Sequence, residues 1–206
     1  MALGRCKAFI EGPLMDTVDY SSLGQNVAVE VVECGHCDMA KGNFTCEHGP
    51  NECAGNLAIM CGLHVTKECD HVGAPGDSKG PRPPFHVLPP WAAFVQCMNQ
   101  AQGAMSTTAS LKRCLMVGFT GCPVAQARVA QQCMDGPDGE QLMAAAYQQS
   151  KAANVTGPSA SQPHRVPFLT IDGKPLGDDP SKLKQAVCDV IANDPTRKLV
   201  NPGACD

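Results

Sequence analysis

Cysteine is the residue type that offers most chemistry in this sequence. Thirteen cysteines occur among 206 residues, and a reducing cytosol rarely holds thiols at this density unless they bind metal or carry out redox reactions. The sequence therefore predicts disulfide bonds, reactive thiols or both, in an oxidising compartment. Because thirteen is odd, at least one cysteine has no disulfide partner within the chain.

Two of these cysteines have the spacing of a redox dithiol. Cys34 and Cys37 enclose Gly35 and His36, and Cys-Gly-His-Cys is the dithiol sequence of protein disulfide isomerases. A helix should follow such a motif, because its N-terminus stabilises a thiolate. Residues 38–45 are too short and too soon interrupted by Gly42 to form one. We interpret the pair as structural cysteines and keep it as an alternative dithiol.

The same region contains four side chains that suit a zinc ion. Cys34, Cys37, Cys46 and His48 give the spacing C-x2-C-x8-C-x-H, and thiolates with one imidazole are typical Zn²⁺ ligands. In an oxidising lumen these cysteines are better explained as disulfides. The prediction is therefore no bound metal and no cofactor.

Composition excludes several other classes of protein. The net charge is -4, hydrophobic residues make up 43% and charged residues 17% of the chain. There is no basic patch for nucleic acid and no apolar run of the roughly 20 residues that cross a bilayer. The sequons at Asn43 and Asn154 predict glycosylation. The first residues have neither the basic flank nor the apolar run of a signal peptide.

The chain alternates between helical and extended patterns that must position these cysteines. Residues 26–32 and 166–171 are rich in β-branched residues and predict strands, and the second is followed by an Asp172-Gly173 hairpin turn. A Pro-rich loop covers residues 66–90, and the segment of about 91–154 predicts a helical insertion. Predicted helices cover residues 6–20, 53–65, 91–104, 109–118, 123–134, 140–153 and 180–192, the last with Asp179 as its N-cap.

One segment closely resembles a family signature. Residues 46–61 read CEHGPNECAGNLAIMC, which resembles the pattern C-Q-H-G-x2-E-C-x2-N-x4-C of the gamma-interferon-inducible lysosomal thiol reductase family, with Glu47 in place of Gln. The similarity continues through residues 94–98, three later cysteines, Gly136, Gly139 and residues 164–168. It covers nearly the whole chain apart from the Pro-rich loop.

This resemblance implies an α/β fold over residues 1–206, a single domain with a thioredoxin-like core, a helical insertion and many disulfides. It also implies a glycoprotein, lysosomal or secreted, that reduces disulfides in protein substrates without a cofactor. Pro167 would be the cis-proline beside the active site. The remaining cysteines are structural disulfide candidates, and Cys188 and Cys205 suggest a pair that holds the C-terminus; the candidates are Cys46, Cys53, Cys61, Cys69, Cys97, Cys114, Cys122, Cys133, Cys188 and Cys205.

The chain departs from the family at the active-site motif. The family uses a C-x-x-C at the start of the first helix, after the first strand. Cys6 matches the second, resolving cysteine, and Leu3 stands where the first, attacking cysteine would be. Cys6 is therefore the cysteine that we expect to lack a disulfide partner within the chain. Either the sequence begins inside the motif, so that the first strand is missing too, or the chain is a relative that has lost reductase activity. The alternative function is a catalytically inactive, disulfide-stabilised binding or chaperone-like protein.

Overall fold

A computed structural model describes most of the chain and shows a mainly helical protein with small sheets and disulfide bonds. The described residues are 2–19, 22–24, 26–32, 37–40, 43–66, 88–101, 108–118, 125–153, 167–176, 179–199 and 202–205. The helices are α1 (Ala2–Phe9), α2 (Met15–Val18), α3 (Pro50–Thr66), α4 (Pro90–Ala101), α5 (Thr108–Gly118), α6 (Ala125–Met134), α7 (Pro137–Ala152) and α8 (Leu183–Asn193).

The N-terminal helical segment agrees with the sequence pattern but contains an irregular turn. A π-helical turn, Ile10–Leu14, connects α1 to α2. Pro13 lies inside it and has no N–H to donate, so the regular hydrogen-bond ladder cannot continue through this point. Leu14, the last residue of this turn, is buried together with Met15 and Val18 of α2, and all three pack in one cluster with residues of α8.

Helix α3 is the centre of the helical region. Its buried residues pack on α4, α5 and α6 through one apolar cluster and on α7 through another. Gly62 is needed where α3 meets α4, because a Cβ at that position would overlap the buried ring of Phe94. All four helices predicted between residues 91 and 153 are present, with ends shifted by a few residues.

The strands form two antiparallel hairpins. Strand β1 (Cys37–Ala40) pairs with β2 (Asn43–Cys46), so that Cys37 lies opposite Cys46. Strand β3 (Thr170–Ile171) pairs with β4 (Lys174–Pro175). The turn between β3 and β4 has φ 50° at Asp172 and φ 75° at Gly173, as a hairpin turn of the predicted Asp-Gly type requires. The first hairpin was not predicted.

The strand predicted over residues 26–32 is wrong in this structure. Val27–Val32 lie outside any strand, and Val29 and Val32 are each 38% exposed. A strand exists only where a neighbour supplies the other half of its hydrogen bonds, and none of the described segments lies beside this one as a strand. Within the described residues the sheets have two strands each, so a larger thioredoxin-like sheet is not seen.

The C-terminal helix begins and ends as predicted. Asp179 accepts a hydrogen bond from the Ser181 N–H at 3.2 Å, which caps the turn Pro180–Lys182 that leads into α8. Hydrogen bonds from Ser181 also lower the pKa of Asp179. Most of the Pro-rich loop, residues 67–87, lies outside the described residues. The helices that the structure describes include none that meets the length and apolarity of a bilayer span.

Candidate active site

A cavity of about 920 Å³ lies beside Cys6. Its walls come from α1 and the π-helical turn, the segment 26–32, the start of α3, the segment 167–172 and α8. Most of these residues are apolar, and the polar ones include six from the start of α3 and from segment 26–32. The cavity therefore joins elements that lie far apart in the sequence.

Cys6 contributes a half-buried thiol to this cavity. The sequence predicted this residue at the leading end of its helix, whereas α1 begins at Ala2 and places Cys6 in its second turn. The helix dipole acts mainly within the first turn, so its effect on this thiol is weaker than a position at the helix end would give.

Pro167 lines the same cavity as Cys6, as the predicted pairing of these residues requires. It is followed by Phe168, which also lines the cavity, and by the β3–β4 hairpin. The hairpin is extended by a hydrogen bond of 2.9 Å from the Leu176 N–H to the Leu169 carbonyl. The predicted cis bond joins Pro167 to Val166, which lies outside the described residues.

The signature segment builds the start of α3. Gly49 has φ +92°, a value that favours glycine, and its N–H donates to the Cys46 carbonyl at 3.0 Å. The His48 N–H donates to Glu52 Oε2 at 2.8 Å, and His48 Nδ1 lies 3.2 Å from Glu52 Oε1. A disulfide joins Cys46 to Cys53 across the turn. The segment is thus a cross-linked helix cap.

The sequence interpretation of Glu52 was incomplete. From the sequence, Glu52 was only a residue of the signature segment and His48 only a possible zinc ligand. Glu52 is the third residue of α3, the position from which an acidic side chain reaches back to an N–H before the helix. The spacing of Glu52 from His48 was the sequence signal for this capping contact.

The start of α3 presents a polar face to the cavity. Glu47, Asn51, Glu52 and Asn56 line it, with buried Gly55 between them. On the wall formed by segment 26–32, Glu30 Oε1 accepts a hydrogen bond of 3.1 Å from Gln149 Nε2. Carboxylates and amides therefore surround the cavity that contains the Cys6 thiol.

Eight of the structural disulfide candidates are paired in the structure. Cys188 is joined to Cys205, the pair that the sequence suggested. The other bonds could not be assigned from the sequence, because six or more cysteines allow many pairings. Cys69 and Cys122 lie outside the described residues. The remaining bonds are Cys46–Cys53, Cys61–Cys133 and Cys97–Cys114.

The structure describes only part of the alternative sites. Cys34 lies outside the described residues, and Cys37 begins a strand rather than a helix. Cys46 is in a disulfide and offers no thiolate to the zinc set considered above. Within the described part of the chain there is no cluster of three or more metal-binding side chains. Asn43 begins β2, and Asn154 lies outside the described residues.

Comparison with known proteins identifies the family. The model of the gamma interferon inducible lysosomal thiol reductase (GILT) family matches residues 4–117, more than half of the chain. A relative from Carassius auratus, "Gamma-interferon-inducible lysosomal thiol reductase", is 24% identical over 205 residues. That alignment covers 97% of this chain and 66% of the relative. The match, together with the signature segment and the cavity that it lines, places this chain in the GILT family.

Proposed function

We propose that this protein is a thiol–disulfide oxidoreductase that reduces disulfides in protein substrates, with Cys6 as the reacting residue. The observation that carries the proposal is that the Cys6 thiol, Pro167 and the signature helix line one cavity. Family membership supports the same class of activity.

The proposed reaction is exchange between a thiolate and a disulfide. The Cys6 thiolate attacks one sulfur of the substrate disulfide; the substrate S–S bond breaks, a Cys6–substrate S–S bond forms, and the other substrate sulfur leaves as a thiolate and takes up a proton. A small-molecule thiol then attacks the Cys6 sulfur and releases the substrate as a thiol. A second such thiol regenerates Cys6 and leaves as the small-molecule disulfide. Because residue 3 is Leu, Cys6 takes the attacking role in this proposal although it matches the family's resolving cysteine, and an external thiol resolves the mixed disulfide.

The walls of the cavity suit a polypeptide substrate. Phe9, Ile10 and Leu14 line one side, and Phe168 and Leu169 another. Apolar side chains around a cystine are buried when they enter such a cavity, which favours binding by roughly 25 cal/mol per Å² of apolar surface. Pro167 lines the same cavity and would contact the substrate chain beside the reacting sulfur.

The family also supports proposals about the whole protein. We expect a single domain over residues 1–206 with a thioredoxin-like core, located in a lysosome or secreted, and glycosylated at Asn43 and Asn154. Disulfides within the described residues support an oxidising compartment. Turnover will be weak, since one cysteine of the exchange pair is replaced by Leu3.

The test compares single-cysteine variants in a reductase assay. The wild-type chain, supplied with a small-molecule thiol, should accelerate reduction of a fluorescence-quenched protein disulfide. Cys6→Ser should lower this acceleration at least about tenfold, to the rate of the small-molecule thiol alone, because oxygen cannot form the mixed disulfide.

Cys34→Ser is the matched control and should retain the wild-type rate. If activity survives in Cys6→Ser and is lost in Cys34→Ser, the reacting dithiol is Cys34–Cys37 and our assignment is wrong. If wild type and Cys6→Ser both show only the background rate while retaining binding to reduced, unfolded protein, the chain is the inactive binding relative instead.

A further inference from the structure

The charges around the candidate site are unevenly distributed. Among the described residues, the ionisable side chains that line the cavity, apart from Cys6, are four carboxylates and one guanidinium: Glu30, Glu47, Glu52, Asp172 and Arg197. No lysine or histidine among the described residues lines it. The formal charge of the lining is therefore negative.

Arg197, the one basic side chain among the described lining residues, is already paired. Arg197 Nη2 lies 3.0 Å from Asp172 Oδ2, and Arg197 Nε lies 3.0 Å from Asp194 Oδ2. Hydrogen bonds from the Thr196 hydroxyl and N–H lower the pKa of Asp194, which keeps this second carboxylate ionised. Two carboxylates share one guanidinium, so Arg197 offers no positive charge to a ligand.

Within the described part of the chain, two carboxylates of the cavity have no basic partner. Glu52 is paired with His48, but Glu30 contacts only the neutral amide of Gln149 among the described polar groups, and Glu47 has no described ion pair. Both are exposed. A carboxylate that is exposed at a cavity and lacks a basic partner attracts a cation that enters there.

The basic residues next to Cys6 do not cancel this charge within the cavity. Arg5 and Lys7 flank Cys6 on α1, but neither lines the cavity, and Lys7 Nζ lies 3.9 Å from Glu11 Oε1. On a helix, successive side chains point about 100° apart, so the neighbours of Cys6 point away from its own direction.

We propose that Glu47 and Glu30 make the site selective for disulfides that carry positive charge, such as a cystine flanked by Lys or Arg in a polypeptide. This inference rests on the proposed function, since it names the substrate class for the Cys6 thiol. The carboxylates act before the exchange step: they raise the local concentration of a cationic disulfide beside Cys6 and lower that of an anionic one.

The test uses two small disulfides of opposite charge, cystamine and 3,3′-dithiodipropionate. The rate of adduct formation on Cys6 is followed by peptide mass spectrometry, and each rate is divided by that of an uncharged reference thiol, N-acetylcysteine amide, to remove intrinsic differences between the reagents. Cystamine should react about tenfold faster after this correction at low ionic strength. The preference should shrink as salt is raised, because salt screens charges over about 10 Å at 0.1 M.

Three variants separate the contributions. Glu47→Gln, which restores the signature residue, should reduce the preference about threefold, and Glu30→Gln should act in the same direction if Glu47→Gln folds poorly. Glu140→Gln removes an exposed carboxylate from α7 outside the cavity and should leave the preference unchanged.

The outcomes distinguish this inference from the proposed function. If Cys6 reacts with both reagents at equal corrected rates, or faster with the dianion, the charge selectivity is wrong and the reductase proposal stands. If Glu140→Gln changes the preference as much as Glu47→Gln does, the effect comes from net charge and the inference is wrong. If Cys6 reacts with neither reagent, both proposals fail.

Discussion

Replacing Leu3 with Cys is expected to raise disulfide-reductase turnover by about a hundredfold or more. Residues 3 and 6 both belong to α1, and residues three apart lie on the same side of a helix. A cysteine at residue 3 would give the C-x-x-C spacing, and a mixed disulfide formed on either thiol could then be resolved by the other within one molecule. Such an intramolecular step is faster than attack by a thiol from solution, because the second thiol has a high effective concentration beside the mixed disulfide.

The Leu3→Cys protein should also need the small-molecule thiol only to restore its own dithiol. Leu3→Ser is the control, because it introduces a polar side chain of similar size to cysteine without sulfur. Two quantities are measured. The first is the reductase rate, and the second, determined by mass spectrometry, is the fraction of the variant in which a disulfide joins residues 3 and 6. If Leu3→Cys and Leu3→Ser turn over at the same rate, Cys6 does not belong to an exchange pair and its assignment is wrong.

Removing the Cys61–Cys133 disulfide is expected to cost about 4 kcal/mol of stability, a change of about a thousandfold in the folding equilibrium. The bond closes a loop of 72 residues, and cross-linking a loop of this length removes much entropy from the unfolded chain. It connects α3 to α6, and both cysteines are buried, with exposures of 0% and 4%. The double variant Cys61→Ala/Cys133→Ala loses this constraint.

The Cys46–Cys53 bond provides the comparison. It spans only 7 residues, so the same loop-entropy relation gives about 2 kcal/mol. The free energies of unfolding should be measured by urea titration at a pH where the other disulfides remain intact. If Cys61→Ala/Cys133→Ala and Cys46→Ala/Cys53→Ala lose equal free energies of unfolding, the loop-length account of the Cys61–Cys133 bond is wrong.

Hydrophobic periodicity predicted most helices well, because a helix is stabilised largely by its own hydrogen bonds and one apolar face. Helix α3 was expected over residues 53–65 and spans Pro50–Thr66. The Asp179 cap and the Asp172-Gly173 turn were also correct, since both depend on local backbone geometry. These elements need little information from the rest of the chain.

The strands were harder to predict, because a strand depends on its neighbours. Val27–Val32 had the right composition but has no strand beside it among the described residues. The reverse happened at residues 37–46, where a segment rich in Cys, Gly and Asn forms a hairpin. Met39 and Phe44 of this hairpin pack on the cluster between α3 and α7, a contact that local sequence does not reveal.

The candidate site could be predicted only in part. The motif resemblance selected Cys6 and Pro167, and the structure places both on one cavity. The polar wall containing Glu30 and Glu47 was not predicted, because it brings together residues from segment 26–32 and from the turn before α3. The hydrogen bonds of His48 and Glu52 follow from helix-capping rules that the sequence interpretation did not apply.

The most direct measurement is to trap the mixed disulfide with a protein substrate and map the cross-linked cysteine. A disulfide-containing substrate is incubated with the wild-type chain without any small-molecule thiol, the reaction is quenched with acid, and the cross-linked peptides are identified by mass spectrometry. Our account predicts that the substrate sulfur is bound to Cys6. A substrate bound to Cys34 or Cys37, with Cys6 unmodified, would contradict it.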